Sequence, residues 1–145
     1  MSFILRVIHD LLTQPPHPLF VHFPIALTGA AVFFILLALW KKNEILEKVA
    51  FANISLAAAS TLAAASVGIR DNLAFYNGSA SNHIAKIILA TILFVVTTST
   101  AIARWRKKEL FYSRTTKALY IAAYFVSFAI ASVLGFLGGI ILFGF

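Results

Sequence analysis

Four long apolar stretches limit what this chain can fold into more than any other feature of its sequence. A helix of about 20 residues crosses the roughly 30 Å hydrocarbon layer of a bilayer. Lipid offers no hydrogen-bond partners to the backbone, so only helices or closed barrels cross it, and continuous apolar runs favour helices. The sequence therefore predicts an all-α integral membrane protein with spans at about 21–40, 49–69, 84–103 and 118–143.

Composition agrees with a membrane protein. Of the 145 residues, 61% are hydrophobic and 12% are charged, whereas a soluble domain carries roughly 25% charged residues. The links between spans are short, which places consecutive helices antiparallel. We predict one domain, residues 1–145, folded as a four-helix up-down-up-down bundle.

The basic residues are sorted to one side of this bundle. Nine of the 12 Lys and Arg residues fall between spans one and two or between spans three and four. Positive residues mark cytoplasmic loops, so both termini are predicted to face the periplasm of a bacterial inner membrane. The net charge of +7 is then a topology signal, and we expect no nucleic-acid partner. The nine residues are Lys41, Lys42, Lys48, Arg104, Arg106, Lys107, Lys108, Arg114 and Lys117.

The segment 1–16 precedes the first span and is too short to cross a bilayer. Its apolar residues recur at helical spacing and it has no A-x-A cleavage site. These features favour an interfacial helix over a signal peptide. A disordered, partly buried arm is the alternative.

All four histidines, His9, His17, His22 and His83, fall on the predicted periplasmic side. His22 and His83 lie near the first turns of spans one and three, which run parallel, so we expect them at similar depth. Imidazoles from facing helices of a bundle can bind a haem iron axially. We predict haem b, with His22 and His83 as metal ligands and His17 as the alternative to His22. A divalent metal such as zinc or copper, or a proton relay, is another hypothesis for these histidines.

Three more charged residues share that side. Arg70 or Lys86 can bind a haem propionate, and Asp71 can orient an imidazole through its second nitrogen. The alternative for Arg70 and Lys86 is a solvated position at the interface.

Small residues are frequent in spans two and four. They either leave room for a flat macrocycle or allow close helix packing, and the GxxxG pattern of Gly135 and Gly139 can mediate a homo-oligomer. The small residues are Ala57, Ala58, Ala59, Ala63, Ala64, Ala65, Gly68, Gly135, Gly138 and Gly139.

No catalytic residue is predicted. The chain has neither a phosphate-binding Gly loop nor an HExxH motif, and it has no cysteine and only five Asp and Glu residues. We therefore expect an electron carrier or an accessory subunit rather than an enzyme with its own chemistry.

The run PHPLFVHFPIAL resembles the signature of an uncharacterised bacterial family of small four-helix membrane proteins. The resemblance implies a four-helix membrane domain, sometimes attached to redox domains, and no settled activity. The matching positions are His17, Pro18, Val21, His22, Phe23, Pro24, Ile25, Ala26 and Leu27, followed by Gly68, Asp71, His83, Arg104, Gly138 and Gly139.

Three functions remain open from the sequence. The first is a b-type haem protein that transfers electrons on the periplasmic side, within a larger redox complex. The second is a cofactor-free subunit packed against other membrane subunits. The third is a protein that binds a divalent metal.

Overall fold

The computed structural model describes residues 4–5, 17–112 and 114–143. This part of the chain contains four long helices and no strand. Each helix contains a stretch long and apolar enough to cross a membrane, so the all-α, four-span prediction is confirmed. The helices are α1 (His17–Lys41), α2 (Glu44–Tyr76), α3 (His83–Arg106) and α4 (Arg114–Phe143).

Each predicted span lies inside one helix, and the helices extend beyond the apolar runs. Helix α2 continues past Ile69 to Tyr76 and ends where Asn77 (φ 48°) and Gly78 (φ 77°) adopt left-handed conformations. The N–H groups of both residues donate to the carbonyl oxygen of Asn72, which closes the last turn. The polar end of α2 is therefore helical, and this places Asp71 on a helix rather than in a loop.

The helices pack as a ring. Helix α1 packs mainly against α2 and α4, and α3 packs against the same two helices, so α1 and α3 are diagonal neighbours. An up-down-up-down course remains our interpretation of the short links, and this ring agrees with it.

Most buried residues of each helix follow a repeat of seven, at alternating steps of three and four. We call these rows the interior seams. This spacing is typical of helices that cross at a shallow angle in bundles. The seams hold Pro24, Thr28, Ala31, Ile35 and Ala38 on α1; Glu47, Ala50, Ile54, Ala57, Thr61, Ala64 and Asp71 on α2; Leu93, Thr97, Thr100 and Arg104 on α3; and Tyr120, Tyr124, Ser127 and Ala131 on α4.

The outer surface carries most of the large apolar side chains. Phe33, Leu36, Phe125 and Phe136 are all exposed, as expected of side chains that face lipid. The interfacial helix predicted in segment 1–16 lies outside the described residues except for Ile4 and Leu5, and it stays a prediction.

Candidate functional site

A cavity of about 460 Å³ lies at one end of the bundle. All four helices line it, through the start of α1, the end of α2, the start of α3 and the end of α4. Its volume is in the usual range of sites for small molecules, about 300–1,000 Å³. The polar residues in its wall include His17, Asp71, His83 and Lys86, and we call this the histidine end.

Helix α2 fixes His17 by three contacts. The backbone N–H of His17 donates to Asp71 Oδ2 at 2.8 Å, and its ring Nδ1 lies 3.1 Å from the carbonyl oxygen of Ala64. A Cβ atom added at Gly68 would lie 2.7 Å from His17 Cε1, so only glycine leaves room for the ring. The last turns of α2 therefore determine where this imidazole lies.

The ring of His83, on the diagonal helix α3, has the same kind of backbone contact as the ring of His17. Its Nδ1 lies 2.9 Å from the carbonyl oxygen of Ala80. A carbonyl oxygen only accepts hydrogen bonds, so Nδ1 carries the proton in both His17 and His83. In the neutral ring Nε2 then keeps its lone pair, which is the arrangement of a metal-binding imidazole.

The charged residues predicted for this site differ in their positions. Asp71 is 2% exposed, and Lys86, one turn after His83, is half-buried in the cavity wall. Arg70 is exposed and does not line the cavity, but its Nη1 lies 3.4 Å from Asp71 Oδ1. Arg70 is therefore linked to the cavity through Asp71.

His22 lies outside the cavity. It is exposed, and its Nδ1 lies 2.5 Å from the carbonyl oxygen of Pro18 in the same helix. His17 and Val21 lie in register with the α1 seam, and His22 is one position further around the helix. The cavity thus brings His83 together with His17 rather than with His22. His9 falls outside the described residues.

A metal centre with three protein ligands is not formed in the described ranges. No group of three or more His, Cys, Asp or Glu residues is placed there to hold an ion. Structural and catalytic zinc sites take three or four protein ligands, and within the described residues the histidine end brings together two imidazoles, those of His17 and His83.

A second polar cluster lies at the opposite end of α3, about 30 Å from His83 at 1.5 Å per residue. Arg104 donates from Nε to Glu47 Oε1 at 2.6 Å and from Nη2 to Glu47 Oε2 at 2.7 Å. The hydroxyl of Tyr120 donates to Glu47 Oε1 at 2.8 Å and lies 2.7 Å from the hydroxyl of Tyr124. All four residues are buried, and we call this the arginine end.

Comparison with known proteins places this architecture in a family. Residues 13–145 match the family described as "Predicted membrane protein (DUF2231)". The chain belongs to this family. The resemblance expected from the sequence is confirmed at the level of the family. No curated protein and no solved structure matches the chain.

Sequence reasoning missed the arginine end of this DUF2231 protein. From the sequence, Arg104 falls among the loop charges and among the family-like positions, and none of Glu47, Tyr120 and Tyr124 is assigned to the interior. Arg104 is instead the last seam residue of α3, four positions after Thr100, and Glu47 is the first seam residue of α2, three before Ala50. Counting the seven-residue repeat along each span identifies both charges as interior.

Some of the small residues allow close packing of helices, and others border the cavity. A Cβ atom at Gly135 would lie 2.6 Å from Ile25 Cδ1, whereas one at Gly138 would meet no atom within 4 Å. Gly135 thus faces α1 of the same DUF2231 chain, and Gly138 borders open space in the cavity. A homo-oligomer through Gly135 and Gly139 stays a prediction.

Proposed function

We propose that this DUF2231 protein is a membrane b-type haem protein that transfers electrons, in which His17 and His83 would hold the haem. One observation carries the proposal. Two imidazoles from diagonal helices line the same cavity, and each has Nδ1 on a backbone carbonyl. Such a carbonyl contact fixes the ring orientation and raises the basicity of Nε2 toward a metal.

The other residues of the cavity also fit a haem. Its wall is mostly apolar and includes the small residues Ala64, Ala65, Ala90 and Gly138, which suit a flat macrocycle. Lys86 in the wall, and Arg70 beside Asp71, supply positive charge for propionates. A bound haem would supply one-electron chemistry, and these residues would set its position and surroundings.

The proposal includes a location and partners. The basic residues at the links α1–α2 and α3–α4 favour a cytoplasmic arginine end, so the histidine end and both termini face the periplasm of an inner membrane. We assign no catalytic residue to this chain. In the proposed function, electrons pass between this protein and other subunits of a larger redox complex. The lipid bilayer is its immediate surrounding.

A visible spectrum tests the proposal. The full chain is purified in mild detergent from cells supplied with haem, and spectra are recorded oxidised and reduced. We expect a Soret band typical of low-spin haem, which is lost or shifted in both His17→Ala and His83→Ala. His22→Ala is the matched control, because His22 is an exposed histidine of the same helix, and its spectrum should equal that of the unmodified protein.

The other outcomes separate the rival functions. A colourless protein that contains zinc or copper by elemental analysis contradicts the haem and indicates a divalent-metal site. A colourless, metal-free protein that co-purifies with a larger membrane assembly indicates an accessory subunit. Loss of the Soret band in His22→Ala but not in His17→Ala refutes the assignment of the ligands.

A further inference from the structure

A second pocket, of about 350 Å³, lies at the arginine end. The start of α2, the end of α3 and the link that follows α3 form its wall. It lies at the opposite end of α3 from the histidine cavity, so it has no part in the proposed haem site. Its lining residues are Glu44, Lys48, Phe51, Arg104, Trp105, Lys108 and Tyr112.

Three cations converge on this pocket. Lys48 and Lys108 are exposed, and within the described residues neither takes part in a salt bridge. Arg104 uses Nε and Nη2 for Glu47; in that same part of the chain its Nη1 has no hydrogen-bond partner. The ion pair with Glu47 therefore holds the guanidinium still and leaves one nitrogen for a ligand.

The balance of charge favours an anion. Glu44 lies in the pocket wall and Glu47 neutralises Arg104, so two carboxylates oppose three cations. Arg106 at the end of α3 and Lys107 in the link after it add positive charge nearby, but neither lines the pocket. The pocket keeps a net positive charge, which suits a singly charged group better than a multiply charged one.

The aromatic residues indicate the depth of the pocket. Trp105 is 76% exposed and Tyr112 is 54% exposed, and both lie in the pocket wall. Exposed Trp and Tyr side chains at the end of a span lie at the level of lipid headgroups. Phosphate groups of a bilayer lie at this same level, and Lys48 and Lys108 line the same pocket as these two aromatic residues.

We infer that this pocket binds the phosphate group of an anionic phospholipid. Lys48 and Lys108 contact its oxygens, and Arg104 Nη1 adds a donor at the inner wall. Basic pockets between membrane helices on the cytoplasmic side bind anionic headgroups in this way. A phosphodiester carries one negative charge, in agreement with the small excess of positive charge. Glu47 is a positioning residue, because it acts through Arg104.

Tryptophan fluorescence provides the test. The chain has two tryptophans, so Trp40→Phe leaves Trp105 as the only one. The full chain in detergent is titrated with brominated phosphatidylglycerol or with brominated phosphatidylcholine, at about 0.15 M salt to screen distant charges. We expect phosphatidylglycerol to quench Trp105 at lower concentration, and this preference to fall about fivefold for each of Lys48→Gln and Lys108→Gln.

Lys41→Gln with Lys42→Gln is the matched control. Both lysines are exposed, Lys41 at the end of α1 and Lys42 in the link that follows, and neither lines the pocket. The preference should change less than about twofold in this variant, because screened charges act weakly over distance. Unchanged thermal unfolding of each variant establishes that the fold is intact.

Three results overturn the inference. The first is equal quenching by the two lipids in the unmodified pocket. The second is an equal loss of preference in the control and in the lysine variants of the pocket. In the third, inorganic phosphate at constant ionic strength reduces the quenching of Trp105 by both brominated lipids, and phosphatidylglycerol is not preferred over phosphatidylcholine. This result would assign the site to free phosphate.

Discussion

Gly68 shows how closely the histidine end depends on single atoms. The imidazole of His17 occupies the space in which a larger residue would place its Cβ, 2.7 Å from Cε1. The carbonyl of Ala64 and the carboxylate of Asp71 bind the same residue. These contacts give Gly68 and Asp71, two of the positions that resemble the family, a shared role, which is to hold His17.

We expect Gly68→Ala to displace the ring of His17 and to lower the free energy of unfolding by about 1–3 kcal/mol, the usual cost of overpacking. A bound haem should also be lost more readily. Thermal unfolding in detergent and the Soret absorbance measure the two effects. Gly138→Ala is the control, because nothing lies within 4 Å of the added carbon; if both variants behave alike, the packing explanation fails.

The histidines also show how far single residues could be predicted. The sequence correctly indicated that titratable groups are concentrated at the ends of the spans, because charge in the apolar layer is costly. It did not distinguish His17 from His22. Helix α1 is apolar on every side, so its composition gives no amphipathic direction from which the interior face can be read. The choice depends on the register of α1 against α2.

At the scale of helices, the ion pair of Glu47 and Arg104 connects α2 to α3, and the hydrogen bond from Tyr120 to Glu47 connects α4 to α2. Removing one member leaves a buried charge without its partner. We expect Glu47→Gln or Arg104→Gln to cost about 3–5 kcal/mol. Arg106→Gln, an exposed residue of the same helix, should have almost no effect.

A double-mutant cycle separates the interaction free energy of Glu47 and Arg104 from the effects of the two single substitutions. The variant with both Glu47→Gln and Arg104→Gln should lose much less than the sum of the single losses, because neither charge is then left alone. Thermal unfolding in detergent measures all four proteins. Additive losses would show that the two side chains do not stabilise the bundle as a pair.

The same helices show what span prediction can and cannot locate. Runs of apolar residues identified all four, since about 20 such residues have few alternatives to a membrane helix. The ends of the helices were not predicted, because polar residues extend the helices beyond the apolar runs. Arg70, Asp71 and Asn72 extend α2, and Asp71 turns toward α1 rather than toward water.

For the whole molecule, the sorting of the basic residues predicts one orientation in the membrane. The chain has no cysteine, so a single introduced cysteine reports one position. We expect a cysteine at Lys107 to resist a membrane-impermeant thiol reagent in intact cells, and one at Ser81, in the α2–α3 link, to react. Both residues are exposed and outside the helices, so their reactivity in opened cells is the control. The reverse pattern would invert the proposed topology.

The hydroxyl groups between the two polar ends have a consequence for the ion gradient across the membrane. Thr28, Thr61, Thr97 and Ser127 are buried on the seams, and each donates to a carbonyl oxygen of its own helix four residues earlier. Their protons are committed to the backbone, and Ile35, Ile54 and Leu93 fill adjacent levels. A file of water molecules needs polar partners along its path. We therefore expect the middle of the bundle to block the passage of protons between the histidine end and the arginine end, although both ends carry charged residues.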